Sequence, residues 1–300
     1  MNCLVLGGNG FIGHHLVERL LNEGHKVTVY DKYLDINKMR CQFEDDVKYI
    51  VRDLNEILYF YEEFEKADYV YHLISHIVPN SDSSPNLDLT RDVFPTIDVI
   101  NLCVKHNCKL IFISSAGAVY GEYKGHVTED SPTEPISSYG IVKLTIEKYI
   151  KLYHRTHGLE YVILRASNPY GPGQDPTKKH GLIPTLVYNT LNDIETTIYG
   201  DGTEYRDYIY IDSLINQIYN YSIGLKNCVR NCAHFFSTQT SEIIDIIERF
   251  THKKAIIKYE ERRKCDPKNV FIKTNHVSIP DKCTIYTGIL KIIKSMKSEP

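Results

Sequence analysis

Two short stretches of this chain carry side chains whose types and spacing could do chemistry. Tyr139-Gly140-Ile141-Val142-Lys143 sets a phenol and an amine four residues apart, hence on one face of a helix. A free phenol titrates at about pH 10 and is a weak base at neutrality, but a nearby ammonium favours its ionised form. Such a pair can take a proton from a hydroxyl and return it. With 23 tyrosines in the chain, a Tyr–Lys pair at this spacing is in itself only an exposed helix face. Its company gives it weight. Ser114-Ser115 and Val119-Tyr120-Gly121 lie upstream, and the chain opens with Gly7-Gly8-Asn9-Gly10-Phe11-Ile12-Gly13.

Gly7, Gly10 and Gly13 follow an apolar run and head an amphipathic segment. One glycine permits a tight turn, one lets backbone approach a pyrophosphate, and one lets helix and strand touch. The helix start, at Phe11 and Ile12, then offers unpaired N–H groups and a positive dipole end to phosphate. Asp31 closes the next apolar run, where a carboxylate accepts from adenosine ribose hydroxyls and repels a 2′-phosphate. NAD is therefore expected rather than NADP, with Lys32 the one residue arguing the other way. Asp53-Leu54, after a third apolar run, is placed to meet the adenine edge.

The elements that must hold these residues alternate. Short β-branched and apolar runs over 4–6, 27–30, 49–51, 69–74, 110–113 and 161–164 read as strands, and 11–23, 95–106 and 138–157 as amphipathic helices. That order predicts an α/β fold of Rossmann type, a doubly wound parallel sheet. After Arg165 the texture changes to a breaker, Asn168-Pro169-Tyr170-Gly171-Pro172-Gly173, and shorter mixed elements. Two domains are expected, 1–170 for the dinucleotide and 171–300 as a smaller α/β substrate lobe, with the chain free to cross between them.

Composition excludes several classes. A net charge of −3 argues against a nucleic-acid partner. No run of about 18 apolar residues is present to cross a membrane, and the first residues lack a signal peptide's form, so a cytoplasmic protein is expected. Eight cysteines read as free thiols. Cys103, Cys108, Cys228 and Cys232 fall into pairs without the two-residue gap of a zinc knuckle, so no metal is expected.

These motifs, in this order, resemble the extended short-chain dehydrogenase/reductase family, in particular its NAD-dependent sugar-nucleotide epimerases and dehydratases. The resemblance rests on the glycine turn, Asp31, Asp53-Leu54, His72-Leu73-Ile74-Ser75, Ser114-Ser115 to Gly121, Tyr139 to Lys143, and Leu164 to Gly173. It continues through Gly200-Asp201-Gly202-Thr203-Glu204-Tyr205-Arg206-Asp207-Tyr208-Ile209 and Arg263-Lys264-Cys265-Asp266. It implies that Tyr139, Lys143 and Ser115 are catalytic, and that Leu73, Ile74, Ser75 and Ser114 join the cofactor side. It implies too that Asn168, Arg206, Arg263 and Asp266 bind a nucleotide-diphosphate sugar. The expected activity is a 4-epimerase working through a 4-keto sugar, with a 4-ketoreductase or a non-catalytic dinucleotide-binding protein as rivals. A homodimer formed through the helices over 95–106 and 138–157 is expected on the same ground.

The chain departs from that pattern in four places. The slots for the hydroxyl that assists the tyrosine hold Ala116 and Ala118, so either Ser115 reaches in or the hydroxyl is missing. Asp92 and Phe94 stand where an asparagine-containing helix start is expected. The tail after Asp266 reads as lacking a helix. Ala116 and Gly117 lack the acid of sugar dehydratases, which counts against that chemistry.

Overall fold

The apolar runs and amphipathic stretches form the elements their periodicity demands. The computed structural model describes residues 1–34, 47–77, 84–178, 181–276 and 283–298. In chain order come β1 (Asn2–Leu6), α1 (Phe11–Asn22), β2 (Lys26–Asp31), β3 (Val47–Val51), α2 (Tyr61–Lys66) and β4 (Tyr69–His72). Then follow α3 (Pro85–Asp88), a wide π turn (Leu89–Val93), α4 (Phe94–His106), β5 (Lys109–Ser115), α5 (Ala116–Val119), β6 (His126–Val127) and α6 (Ser138–His157). The second half adds β7 (Tyr161–Ala166), β8 (Asn168–Tyr170), α7 (Leu182–Leu191), β9 (Thr196–Tyr199), β10 (Tyr205–Tyr210) and α8 (Ile211–Gly224). Last are β11 (Cys228–Cys232), β12 (Ser237–Gln239), α9 (Thr240–Thr251), β13 (Ile257–Glu260), β14 (Phe271–Ile272) and α10 (Ile285–Ser298).

Seven strands make the main sheet in the order β11-β7-β5-β4-β1-β2-β3. β1 runs parallel to both β2 and β4, β2 to β3, and β4 to β5. The strand order therefore reverses between β1 and β4, and ligands of open α/β sheets bind at such a reversal, beyond the carboxyl ends. Gly7 follows β1, Leu73 to Ser75 follow β4, and Asp31 and Ser115 end β2 and β5. The reading that carried the fourth strand to residue 74 overran by two. Leu73 donates its N–H to the Leu6 carbonyl at 2.9 Å as the chain leaves the sheet.

Two compact units emerge: Met1–Ser115 with Ser138–Arg165 and Ile215–Arg230, and Ala116–Ser137 with Ala166–Leu214 and Asn231–Pro300. The change of texture after Arg165 coincides with one exchange between them. The first unit holds a core in which Leu4, Leu6, Tyr30, Ile57, Phe64, Val99, Ile100, Phe112, Ile146 and Ile163 pack together. In the second, β10 lies between antiparallel β12 and parallel β8, and β9 pairs parallel with β13.

The expected loss of a tail helix does not hold. α10 is present, burying Ile289, Ile292 and Ile293 on one face, with Gly288 close enough to the Tyr170 ring that a Cβ would lie 2.3 Å from its oxygen.

α6 is anchored by a fully buried ion pair. The Glu147 carboxylate accepts from Arg165 on β7 through Nε at 3.0 Å and Nη2 at 2.7 Å, and from the Ser114 hydroxyl on β5 at 2.6 Å. Breaking such a pair strands a charge away from water. Arg165→Ala is expected to cost about 3–5 kcal/mol in urea unfolding, far more than the paired replacement of Glu147 and Arg165 by apolar residues of similar volume.

Candidate active site

The glycine turn is built by close approach. Gly7 has φ +89°, a region other residues enter at a cost, and a Cβ on Gly13 would stand 2.1 Å from the Gly7 carbonyl oxygen. β1 and α1 can touch only because both positions lack a side chain. Gly10 caps α1 with no side-chain hydrogen bond, so the first-turn N–H groups at Phe11, Ile12 and Gly13 point out of the helix end toward any anion placed there.

Asp31 holds this turn from the side. Its Oδ2 accepts from the Asn9 N–H at 3.0 Å, and Asn9 Nδ2 donates to the Tyr33 carbonyl at 2.9 Å. Asn9 Oδ1 is buried without a hydrogen-bond partner among the described residues. A glycine cradle, a helix end lacking a cap, a strand-end carboxylate and an orphaned buried acceptor fit a dinucleotide. Lys32 is drawn away to Asp53, 2.8 Å from its carboxylate, so it is not a free cation for a 2′-phosphate and the set favours NAD. Asp53 also caps the following turn through the Asn55 N–H, and the Lys32 bond, with that cap, holds its carboxyl below the usual range. Leu54 is packed in the core, so the expected adenine contact has no Leu54 side chain to use.

α6 places Tyr139 and Lys143 on its buried face. The Lys143 Nζ donates to the Ile113 carbonyl at 3.2 Å and lies 5.7 Å from the centre of the Tyr139 ring and 5.0 Å from that of Phe112. The Ser115 hydroxyl, at the end of β5, acts on the Tyr139 phenol to favour its ionised form. Thus Ser115 supplies the hydroxyl that alanines at 116 and 118 lack. Electrostatics run against the simple expectation of an acidified tyrosine. Burial pushes the Tyr139 phenol up to about 12, with the Ser115 bond pulling down and the Asp92 charge pushing up. Burial also brings the Lys143 amine down to about 8, while Asp92 and Glu147 act to keep it protonated. The protein alone therefore holds a neutral phenol beside a mostly charged amine at neutral pH.

Ser114 faces away from these groups, its hydroxyl committed to Glu147. Ser75 donates to Asp92 Oδ2 and to the Ile77 carbonyl, both at 3.0 Å. Ile74 packs on Gly7, and Leu73 is partly buried beside it.

In the second unit, Asn168 Nδ2 donates to the Asp207 carbonyl at 2.7 Å. Arg206 binds backbone first: Nη1 reaches the carbonyls of Tyr205 and Lys268 at 2.9 and 2.8 Å, and Nη2 that of Pro267 at 2.6 Å. It thereby fixes the segment that follows Asp266. The Arg263 guanidinium lies flat against Tyr199, 3.6 Å from the ring centre. Sequence reasoning missed Tyr199, whose pairing with residue 263 has no local signal. It also missed the Asp92–His76 contact, and Glu147, four residues beyond Lys143, which the same periodicity could have found. Among the described residues no group of three or more His, Cys, Asp or Glu could hold a metal ion, and no helix is long and apolar enough to cross a membrane.

Known proteins share this fold. The NAD dependent epimerase/dehydratase family model matches residues 3–220. A Methanocaldococcus jannaschii protein assigned as a UDP-glucose 4-epimerase is 31% identical over 306 aligned positions, 98% of each chain. The Thermotoga maritima UDP-glucose 4-epimerase with UDP-glucose superimposes with a TM-score of 0.92 at 26% identity over 99% of both chains. The Thermus thermophilus UDP-glucose 4-epimerase in complex with NAD gives 0.86 at 25% identity over the whole of both.

Two outcomes follow from this geometry. Gly13→Ala, whose methyl has no room, is expected to abolish NAD binding at concentrations that saturate the parent protein, as read by calorimetry. In cofactor-free protein carrying ¹³Cε-labelled lysine, the resonance lost in Lys143→Arg is expected to titrate near pH 8, below every exposed lysine.

Proposed function

The chain belongs to the NAD dependent epimerase/dehydratase family, and from that premise we propose that it is a nucleotide-sugar 4-epimerase acting on a UDP-hexose. The observation that carries the reading is the group on α6 at the end of β5: the Lys143 amine 5.7 Å from the centre of the Tyr139 ring and bonded to the Ile113 carbonyl, with Ser115 acting on the phenol. The full-length relatives named as UDP-glucose 4-epimerases support the choice of reaction and of base. Ala116 and Gly117 supply no carboxylate beside Ser115 for eliminating water, which speaks against a dehydratase.

In this reading Tyr139 takes the proton of the C4 hydroxyl as that carbon becomes a ketone. It returns the proton to the oxygen once the carbon has been reduced on its other face. Bound NAD supplies the two-electron acceptor and donor for carbon 4, and its positive ring adds the charge that favours the phenolate. Ser115 bonds the phenol and the sugar oxygen, and Lys143 holds positive charge at the ring. Gly7, Gly10, Phe11, Ile12, Gly13, Asp31 and Asp53 hold the cofactor, with Lys32 engaged at Asp53 and the backbone of Leu73 to Ser75 alongside. In the second unit Asn168, Arg206, Arg263 and Asp266 grip the nucleotide diphosphate. A guanidinium suits a diphosphate better than a point charge does, and Arg206 still has N–H groups beyond those committed to the backbone.

We propose further that two copies associate through α4 and α6. These helices expose Phe94, Ile141 and Leu152 at 57%, 53% and 48%, large apolar side chains that a second copy would cover.

The test of function is a panel of nucleotide sugars followed by anion-exchange chromatography, with NAD expected to stay with the protein through gel filtration. Tyr139→Phe should keep NAD and lose at least about 10²-fold in turnover, and Ser115→Ala about 10²-fold. Unchanged UDP-hexoses throughout the panel, or full activity in Tyr139→Phe, would overturn the reading. Light scattering should give twice the chain mass, falling to one in Ile141→Glu.

A further inference from the structure

Beside the Tyr139–Lys143 pair lies a buried carboxylate that the mechanism does not use. Asp92 sits in the π turn between α3 and α4, and its side chain is 4% exposed. The wide turn has a local cause. The Phe94 N–H bonds the carbonyl five residues back, at Leu89, and Pro95 has no N–H to bond the carbonyl of Arg91. The extra residue turns Asp92 inward, onto the loop after β4.

Everything that meets this carboxylate there is a donor. Its Oδ1 accepts from the His76 N–H at 2.8 Å and from His76 Nδ1 at 2.8 Å. Its Oδ2 accepts from the Ser75 hydroxyl at 3.0 Å and the Ile77 N–H at 3.4 Å. An asparagine, which the family resemblance leads one to expect here, has one acceptor oxygen and would turn its amide donors onto two of these groups. The loop is built around an anion. Burial pushes the Asp92 carboxyl up, but the His76 side-chain and backbone bonds and the charges of Lys143 and His76 outweigh that and leave it below the usual range. His76 is raised by its bond to Asp92.

The charged and titratable groups around this anion come from several elements. His72, on β4, is buried and neutral, its ring pushed down to about 3 by burial, and its Nε2 lies 2.9 Å from the Thr96 hydroxyl that donates to the Asp92 carbonyl. The π turn that carries Asp92 packs against α6, the helix of Tyr139 and Lys143, and both side chains feel its charge. Lys32, just after β2, and Asp53, in the turn after β3, act on His76. His76, bonded directly to Asp92, is part exposed, its side chain 25% open to solvent.

We propose that Asp92 and His76 are positioning residues for the epimerase reaction: the buried anion, set in the turn packed on α6, orders the charge beside the Tyr139–Lys143 pair, and His76, bonded to it, makes that influence depend on pH. Below the titration of His76 its imidazolium neutralises Asp92. Above it, the anion acts on Lys143 and Tyr139 undiminished. The inference rests on the epimerase reading for its effect on turnover, but not for its effect on Lys143.

The cofactor-free protein with ¹³Cε-labelled lysine separates the two. In the parent, the Lys143 resonance should show its main titration near pH 8 and a small earlier step at the pH where the His76 ring proton signals titrate. Asp92→Asn should lower the main titration by about one pH unit, since a nearby anion is removed, and bring His76 back toward an ordinary histidine. His76→Gln keeps donors to Asp92 and should erase the early step alone. In active enzyme, Asp92→Asn should slide both limbs of the pH–rate profile downward, because Tyr139 ionises more easily and Lys143 deprotonates earlier. An unmoved Lys143 titration in folded Asp92→Asn, or an early step that survives in His76→Gln or is missing from the parent, would overturn the proposal. Should Asp92→Asn fail to fold, the His76→Gln spectrum decides. A parent inert toward every sugar would sink the epimerase reading while these titrations still answer for the ion pair.

Discussion

The placement of the reactive groups depends on one buried contact, the two-pronged bond between Glu147 and Arg165 with Ser114 as its third member. Tyr139, Lys143 and Glu147 recur every four residues along α6, so they share a stripe that faces the sheet. Fixing the third fixes the other two. A helix held by apolar packing alone can slide or roll by small amounts at little cost. A carboxylate locked to a guanidinium on β7 and a hydroxyl on β5 cannot, because any slip leaves charge without a partner in a place water does not reach. The order built there is what allows a phenol and an amine to be buried side by side.

That burial sets the electrical character of the pair. Each group is pushed toward its neutral form by loss of water, the phenol upward and the amine downward. Nearby carboxylates at 92 and 147 then favour a charged lysine. The protein alone therefore holds a poor base, and positive charge brought in with the cofactor is what would make it a good one. Proton transfer would then be tied to a loaded enzyme, and an empty one spared idle chemistry.

Much of this was legible in the residues because it is local. A glycine every third position after an apolar run, an acid at the end of the next strand, and a phenol and amine one turn apart are patterns that neighbouring residues impose. The strands and long helices followed from periodicity for the same reason. What escaped were meetings between distant parts of the chain. The count left open whether Ser115 reaches in or the hydroxyl is missing, and the end of β5 answers that only in three dimensions. Ser114 looked like a cofactor contact and is spent on Glu147, and Leu54 looked like an adenine contact and is core. The guanidinium of Arg206, read as a phosphate ligand, also holds three carbonyls of its own unit. The direction of the Tyr139 shift escaped too, since desolvation is the sum of everything packed around an atom and belongs to no motif.

The Asp31 carboxylate has a double employment with a practical outcome. One of its oxygens secures the Asn9 amide, and through it the path of the whole phosphate-facing turn. Engineers who wish to retarget a dinucleotide enzyme toward the phosphorylated coenzyme commonly begin by neutralising the acid at this strand end. In this chain such an exchange would loosen the turn at the same moment as it removed the repulsion. A successful redesign would have to supply the Asn9 amide with a new acceptor, and would have to free Lys32 from Asp53 before that cation could serve the added phosphate.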